Sequence, residues 1–441
     1  MSIGNELRSV LRGTVLAAGD EGFEQARRPW NLAVEQPVQA VVEAADADDV
    51  ATLVRHARLA GLTVATQPSG HGASGNTGEV ILLRTTRLDE LSVDPAARTA
   101  RVGAGVKWGR VQEAASPHGL TGLAGSSPVV TVTGYTLGGG LSWFGRKHGF
   151  ASDSVRAFEI VDATGARARV TATSDPDLFW ALRGGGGDLA IVTAIEFDLH
   201  PAPELYGGRM LWPVDRARAV LDAFREVTAS APDELTAWFE LFHFPGAAPM
   251  VAVDTTFLGA GGDAEALLRP LEKVDGRLSD SRAMMTVAEL PSITAEPTDP
   301  SPGRSRSELL TGLTDEVAAV LLDRPIAPLL NVQLRHLGGA LARPSGPAAG
   351  HDSAAGRLDE PFALFMIGIP GEDGGAAVGE RQREIADALV PHTSGRRPFT
   401  LLEPGDRAAN AFTPDVLDRL RALKRRRDPR GTLRSNYPVL D

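Results

Sequence analysis

Thr66–Gly75, TQPSGHGASG, sets one histidine, His71, among glycines and small residues directly after the apolar run Leu62-Thr-Val-Ala65. The run reads as a strand and the decapeptide as a tight turn at its end. Glycine tolerates positive φ and removes side-chain bulk, so peptide N–H groups at such a turn can point outward and a phosphate or pyrophosphate can lie against the backbone. The imidazole of His71 adds a nucleophilic nitrogen beside that cradle.

The flanking sequence explains how the turn is delivered. Asp46 can cap a helix with Asp49 at its third position, Val50, Leu53, Val54 and Ala57 recur at helical spacing, and Gly61 ends it. With Val38–Glu43 as the preceding strand, this is a β–α–β unit whose second strand leads into His71. Upstream, Leu7–Gly19 and Glu21–Trp30 read as short helices. Downstream, Ile81–Leu83 and Thr99–Val102 read as strands and Trp108–His118 as a helix. Gly103-Ala-Gly105-Val-Lys-Trp-Gly109 offers a G-x-G after a strand, but Trp108 stands where a dinucleotide fingerprint needs glycine, so a plain strand-to-helix turn is expected. Gly184–Gly187 is a second flat backbone surface, and no Gly-Lys-Ser/Thr follows it to make a P-loop.

A chain of 441 residues, 43 % hydrophobic, can bury two sizeable cores. Its net charge of −11 argues against nucleic acid or an anionic membrane as partner and leaves small molecules. Without a basic-apolar-small leader pattern or a long uncharged apolar run, a cytoplasmic location is expected. Nothing in the sequence bears on oligomeric state. The absence of cysteine excludes disulfides, thiolate metal sites and any cysteinyl bond to a cofactor, and no metal site is expected.

From about Pro203 the pattern changes. Strand-like runs at Arg209–Trp212, Thr236–Phe244, Met250–Phe257, Leu330–His336 and Phe362–Ile369 alternate with helical stretches at Ala217–Ala231, Ala264–Leu271 and Asp315–Leu322, which gives an α+β unit on an antiparallel sheet. Pro291–Pro302 and Pro344–Arg357 read as long surface loops bordering a substrate entrance. Period two puts Asn331, Gln333 and Arg335 on one face of a strand, Glu240, Phe242 and Phe244 on another, and Phe239, Leu241 and His243 opposite the latter. The basic run Lys424–Arg427 reads as a solvated helix end.

Four separated segments then resemble one family in order and spacing, the berberine-bridge-enzyme-like oxidoreductases of the vanillyl-alcohol-oxidase superfamily, which share the PCMH-type FAD-binding fold. Val64-Ala-Thr-Gln67-Pro68-Ser69-Gly70-His71 is similar to the family's V-A-V-R-x-G-G-H, with Gln67 for arginine and Ser69 for glycine. Ala124–Gly134, Gly138-Gly139-Gly140 and Arg146–Asp153 resemble A-G-x-C-P-T-V-G-V-G-G-H, G-G-G and R-K-Y-G-L-A-x-D. Asp177–Gly187 with Ile191-Val192-Thr193, and the tail Asp428–Leu440, match further segments, as does Arg335–Ala340. The implied division is an FAD-binding domain over 1–202, a substrate-binding α+β domain over 203–405, and a segment 406–441 that returns to the cofactor.

The resemblance implies FAD bonded covalently to His71 alone, because Ser127 stands where the second attachment, a cysteine, would be. It assigns to cofactor binding Gln67, Pro68, Ser69, Gly70, Gly72, Ser127, Val130, Thr133, Gly134, Tyr135, Gly138, Gly139, Gly140, Asp153, Gly187, Ile191, Val192 and Asn436. Tyr135 replaces a histidine near the ribityl chain. Val130 falls where the family gates oxygen, and a small residue there implies O2 as electron acceptor, with H2O2 as product. The implied reaction is hydride transfer from a small alcohol, sugar, amine or natural-product intermediate to the flavin, with a nearby base removing a proton. Tyr437 is the first candidate base, with His336 and Glu240 (and His243) in reserve. A phenol titrates near about 10 and needs activation for that role. Aromatic residues at 5 % give little for an extended sugar-stacking groove. Alanine, arginine and glycine richness matches a GC-rich bacterial source, where such enzymes tailor secondary metabolites. A flavin-dependent monooxygenase or oxidative cyclase on the same fold, and a non-catalytic flavin- or ligand-binding protein, stay open.

Overall fold

In a computed structural model the described residues are 2–343, 352–372 and 374–440; of the loop expected over Pro344–Arg357, the part 344–351 lies outside them. The described residues build three main sheets. The first has the strand order Thr14–Ala17, Ala40–Glu43, Val80–Arg84, Thr63–Thr66, Leu433–Arg434, antiparallel at the first pair and parallel in the rest. The helix Ala47–Ala60 carries the chain from Ala40–Glu43 to Thr63–Thr66. Its N-terminus is held by the Asp46 carboxylate, which accepts from Asp48 N and Asp49 N, and Gly61 ends it at φ +69°. Val50, Leu53, Val54 and Ala57 are fully buried against Ile81 and Leu83, as the helical spacing requires.

The N-terminal expectation is corrected. The helix stops at Val10 and Thr14–Ala17 is a strand, while of Glu21–Trp30 only Phe23–Ala26 is helical. The cause is Asp49, whose buried carboxylate accepts from Arg12 N, Gly13 N and Ala45 N at 2.9, 2.9 and 3.0 Å and turns the chain into the sheet. A Cβ on Gly13 would meet Glu43 O at 2.1 Å, so only glycine lets the backbone turn there.

The second sheet is antiparallel throughout, in the order Leu91–Asp94, Thr99–Gly103, Ile191–Asp198, Val155–Val161, Arg167–Val170. A Rossmann fingerprint needs a parallel strand-to-helix crossover, so Gly103 and Gly105 serve the close backbone approach to Leu88 O and Thr85 O instead.

The third sheet is the antiparallel one expected beyond Pro203. Its order is Ser279–Asp280, Leu205–Pro213, Met250–Leu258, Leu235–Phe242, Asn331–His336, Phe362–Gly368, Arg304–Leu310, with Ala283–Met285 also against Leu205–Pro213. Arg304–Leu310 was not expected as a strand, because RSRSELL carries its apolar residues only at one end. Leu235, Ala237, Phe239 and Leu241 pack with helix Ala217–Ala229 in one core, so the opposite face of the sheet is free to look elsewhere. No helix among the described residues is long and apolar enough to cross a membrane.

The tail holds the second correction. Lys424 is not solvated at the end of helix Pro414–Arg427 but buried, with Nζ donating to Asp188 O, Leu433 O and Asp428 Oδ2 at 2.6, 2.8 and 2.9 Å. Asp188 in turn accepts from Ser435 N and Val439 N, both at 3.1 Å. Removing one partner of a buried ion pair leaves an uncompensated charge. Lys424→Ala is expected to lower unfolding stability by about 3–5 kcal/mol in a urea titration.

Candidate active site

Segments far apart in the chain meet at the end of the first sheet. Strand Thr63–Thr66 runs into buried Gln67, whose Nε2 donates to Asn436 Oδ1 at 2.9 Å, and Ser74 Oγ donates to Asn436 O at 2.6 Å. Gln67 and Asn436 are thus brought together. Beyond Pro68, Ser69 Oγ lies 2.9 Å from His71 Nδ1, and the indole of Trp30 stacks on the imidazole with centroids 4.3 Å apart. Burial, and secondarily the charge of Lys107, push His71 down to about 4, so its ring is neutral at pH 7. A Cβ on Gly72 would meet nothing within 4 Å, which leaves the backbone open to a close ligand.

Lys107 also forms a β-bridge with Thr131, the residue before the short helix Val132–Leu137 that contains Thr133, Gly134 and Tyr135. The phenol ring of Tyr135 lies edge-on to Trp108 at 5.7 Å, and a Cβ on Gly140 would meet Tyr135 Cε1 at 2.4 Å. Burial raises the Tyr135 pKa, so it is present as a neutral phenol. Val130 packs against the core, with its carbonyl accepting from Trp108 N at 2.9 Å. Gly139 and Gly140 accept from Ser152 N and Ala151 N at 3.0 and 3.1 Å. Gly138 is the C-cap of the short helix.

Asp153 holds this loop rather than presenting a free carboxylate: it accepts from Phe150 N at 3.0 Å and pairs with Arg183 at 3.2 Å. Gly187 closes the glycine run, and Ile191 and Val192 pair with Val161 and Ile160 while their side chains enter separate cores.

Among the described residues, Gln67 Oε1, His71 Nε2, Ser127 Oγ, Thr133 Oγ1 and Tyr135 Oη are buried without a hydrogen-bond partner. Buried polar groups are nearly always satisfied; other unpartnered atoms are scattered through the fold, but these five lie on the histidine turn and the glycine-rich segments, where a ligand can supply their partners. FAD, with its phosphates, ribityl hydroxyls and ring N–H and C=O groups, supplies complementary partners, and the residues present fit it.

Strand register shows what the third sheet turns toward this surface. Arg209 opposes Asp254, Asp254 opposes Trp238, Trp238 opposes Arg335, and Glu240 opposes Gln333, so these side chains share one face with Asn331. Arg209 binds Asp254 with two bonds of 2.6 Å and stands 3.6 Å from Glu240, whose Oε2 accepts from Asn331 Nδ2 at 2.9 Å. Burial, then the charge of Asp254, raise Glu240 above the usual carboxylate range. Because Asp254 takes both arginine bonds, Glu240 is the less stabilised carboxylate of this buried pair. Arg335 lies 4.1 Å over Trp238 and 5.2 Å over Phe365.

Electrostatics tie this face to the ligand surface. Arg335 acts on Tyr135, and the carboxyl of Glu296 senses Ser126, Arg335, Glu240 and Arg209. At the other end of the face Ser305 donates to Glu403, and Ser307 Oγ donates to Leu401 O at 3.1 Å.

Two of the four candidate bases fare poorly. His336 follows Arg335 by one residue and therefore points to the opposite face, where it tilts against Phe362 and Arg146 Nη1 lies 3.1 Å from its Nε2. Burial holds it near 3. Tyr437 is buried with its hydroxyl donating to Leu402 O at 2.7 Å, and burial together with Glu403 and Asp406 raises its pKa, the reverse of activation. Sequence reasoning missed Trp30, Lys107, Asp254 and Glu403. Of these only Asp254 carried a signal, as a lone acid inside the apolar run MVAVDTTF.

Residues 38–171 match the FAD binding domain family. The chain is 28 % identical over 450 residues to (R)-6-hydroxynicotine oxidase of Paenarthrobacter nicotinovorans, covering 97 % of each. The crystal structure of 6-hydroxy-D-nicotine oxidase from Arthrobacter nicotinovorans superposes with a TM-score of 0.83 at 26 % identity, over 96 % of this chain and 97 % of that one. A BBE-like protein of Physcomitrella patens shares the fold at a TM-score of 0.86 and 18 % identity, over 100 % and 99 % of the two chains.

Tyr437→Phe is expected to leave turnover within about tenfold of the parent, since a positioned acid–base group contributes more than that. It is also expected to cost about 1 kcal/mol in urea unfolding, because Leu402 O loses its donor.

Proposed function

We propose that this FAD-linked oxidoreductase belongs to the PCMH-type, berberine-bridge-enzyme-like family and is an oxidase whose flavin is bonded to His71 and reoxidised by O2 to give H2O2. The observation that carries the reading is the His71 turn: a neutral, half-buried imidazole with one nitrogen unpartnered, among other unpartnered polar atoms. Similarity along the whole length to a protein named as an oxidase, and the small Val130, support O2 as acceptor. The substrate is a small organic molecule, an alcohol, sugar, amine or natural-product intermediate.

Bound FAD supplies the two-electron acceptor. In this reading residues 1–202 and 406–441 hold it, through the turn Gln67–Gly72, Ser127, the segment Thr133–Tyr135, Gly138–Gly140 and Asn436. Residues 203–405 supply the roof. The Arg335 guanidinium, stacked between Trp238 and Phe365, orients the substrate. Glu240 takes the substrate proton once its own has left, because Arg209 and Asn331 stabilise the carboxylate while Asp254 and burial keep it basic.

Acid-precipitated protein from riboflavin-fed cells is expected to be yellow and heavier than the bare chain by one FAD, and His71→Ala to come down colourless; mass spectrometry and absorbance read both. A colourless parent chain sinks the covalent reading. The Glu240 shift has a definite sign: a base with a raised pKa is protonated and idle at low pH. In the parent, kcat/KM should therefore rise with pH through a group titrating above the usual carboxylate range, and in Glu240→Gln that rise should vanish with a loss of about 100-fold or more.

A further inference from the structure

We infer that Trp30 and Ser69 are positioning residues that present Nε2 of His71, and not Nδ1, as the atom that bonds the flavin. The inference rests on the covalent reading above and adds to it the reacting atom and the groups that select it.

The imidazole is gripped from two sides. Trp30 stacks on its face with centroids 4.3 Å apart and planes 17° from parallel, which fixes the plane of the ring. Ser69 Oγ lies 2.9 Å from Nδ1, which fixes its rotation within that plane. Nε2, on the far edge, is buried and has no hydrogen-bond partner among the described residues. Neutral imidazole carries one N–H, and a buried N–H without an acceptor is rarer than an unsatisfied lone pair. The favoured tautomer therefore donates Nδ1–H to Ser69 Oγ and leaves the lone pair on Nε2. Burial supports this by keeping the ring unprotonated.

The grip is itself held in place. Trp30 N donates to Ser69 O at 3.1 Å. Gly70 adopts φ +81°, and a Cβ there would meet Pro29 Cα at 2.8 Å, so the turn and the Pro29-Trp30 segment fit only with glycine between them. Buried Arg84 donates to Gln67 O at 3.1 Å and to Arg28 O at 2.7 Å, joining the two segments from beneath.

The step balances as follows. Nε2 gives its lone pair to the flavin C8α carbon as a C8α–H bond breaks. That proton leaves, Nδ1 releases its proton toward Ser69, and the two electrons of the C–H bond pass to the isoalloxazine ring. O2 accepts the two electrons with the two protons and becomes H2O2.

The test compares the parent with Ser69→Gly, Ser69→Ala, Trp30→Ala and Trp30→Phe. Apoprotein from riboflavin-starved cells is mixed with FAD, and flavin retained after denaturation is followed in time. The attachment atom is read by NMR of the proteolytic flavopeptide. In the parent the 8α methylene should contact both Hδ2 and Hε1 of the imidazole, which flank Nε2. The Ser69 variants and Trp30→Ala should bind FAD but bond it about tenfold or more slowly, and Trp30→Phe, which keeps a stacking ring, should recover most of the rate. A parent flavopeptide whose methylene contacts the His71 β protons, marking Nδ1, overturns the inference while leaving the covalent bond standing. So do Ser69 variants that bond FAD at the parent rate. A parent that binds FAD and releases all of it on denaturation overturns the covalent reading itself.

Discussion

The ammonium of Lys424 decides where the end of the chain goes. It sits in the interior with three oxygen partners, two of them backbone carbonyls, and the neighbouring Asp188 gathers the N–H groups of Ser435 and Val439. An unpaired charge in that position is expensive, so the tail has one favourable path. Along it, Leu433–Arg434 joins the first sheet beside Thr63–Thr66, and Asn436 arrives against Gln67. The candidate site is thus a place where the first 80 or so residues meet a tail that a buried cation ties to Asp188, with strand pairing, the Gln67–Asn436 bond and the buried Leu433 making the contact itself.

The third sheet works by parity. One face is apolar and packs on helices; the other carries Arg209, Asp254, Glu240, Asn331, Gln333 and Arg335 in adjoining strands. Charges can persist there because they are paired or stacked: Asp254 by Arg209, Arg335 by Trp238 and Phe365. Glu240 has only the longer 3.6 Å approach of Arg209 and the Asn331 amide, and burial beside Asp254 raises its pKa, so it is the group whose protonation state is poised to change.

Much of this was legible in the residues. The helix 47–60 with its Asp46 cap and Gly61 stop, the turn at His71, and the strands beyond Pro203 follow from local periodicity and turn chemistry, and the structure has them. What escaped was set by distant partners. Nothing near Arg12-Gly13 announces that Asp49 will bend that backbone into a strand, and a basic run such as Lys424–Arg427 looks solvated until two carbonyls and a carboxylate are found around its first member. The face of a strand is readable by alternation, but which side meets the ligand is not. His336 and Arg335 differ by one position and end on opposite sides of a sheet. Trp30 is a lone aromatic in an irregular stretch, and only the folded turn shows that it lies on His71.

The strand Leu433–Arg434 completes a sheet whose other members lie within the first 84 residues. Such a closure has a very large sequence separation, and its entropic cost is met only when the final segment is present. While the chain is still emerging from the ribosome, the edge of Thr63–Thr66 stays unpaired, and Gln67 has no Asn436 to meet. The histidine turn is therefore made early but gains its last neighbours only after Leu433–Asn436 has been synthesised, so the arrival of that segment acts as a timer for the architecture around it.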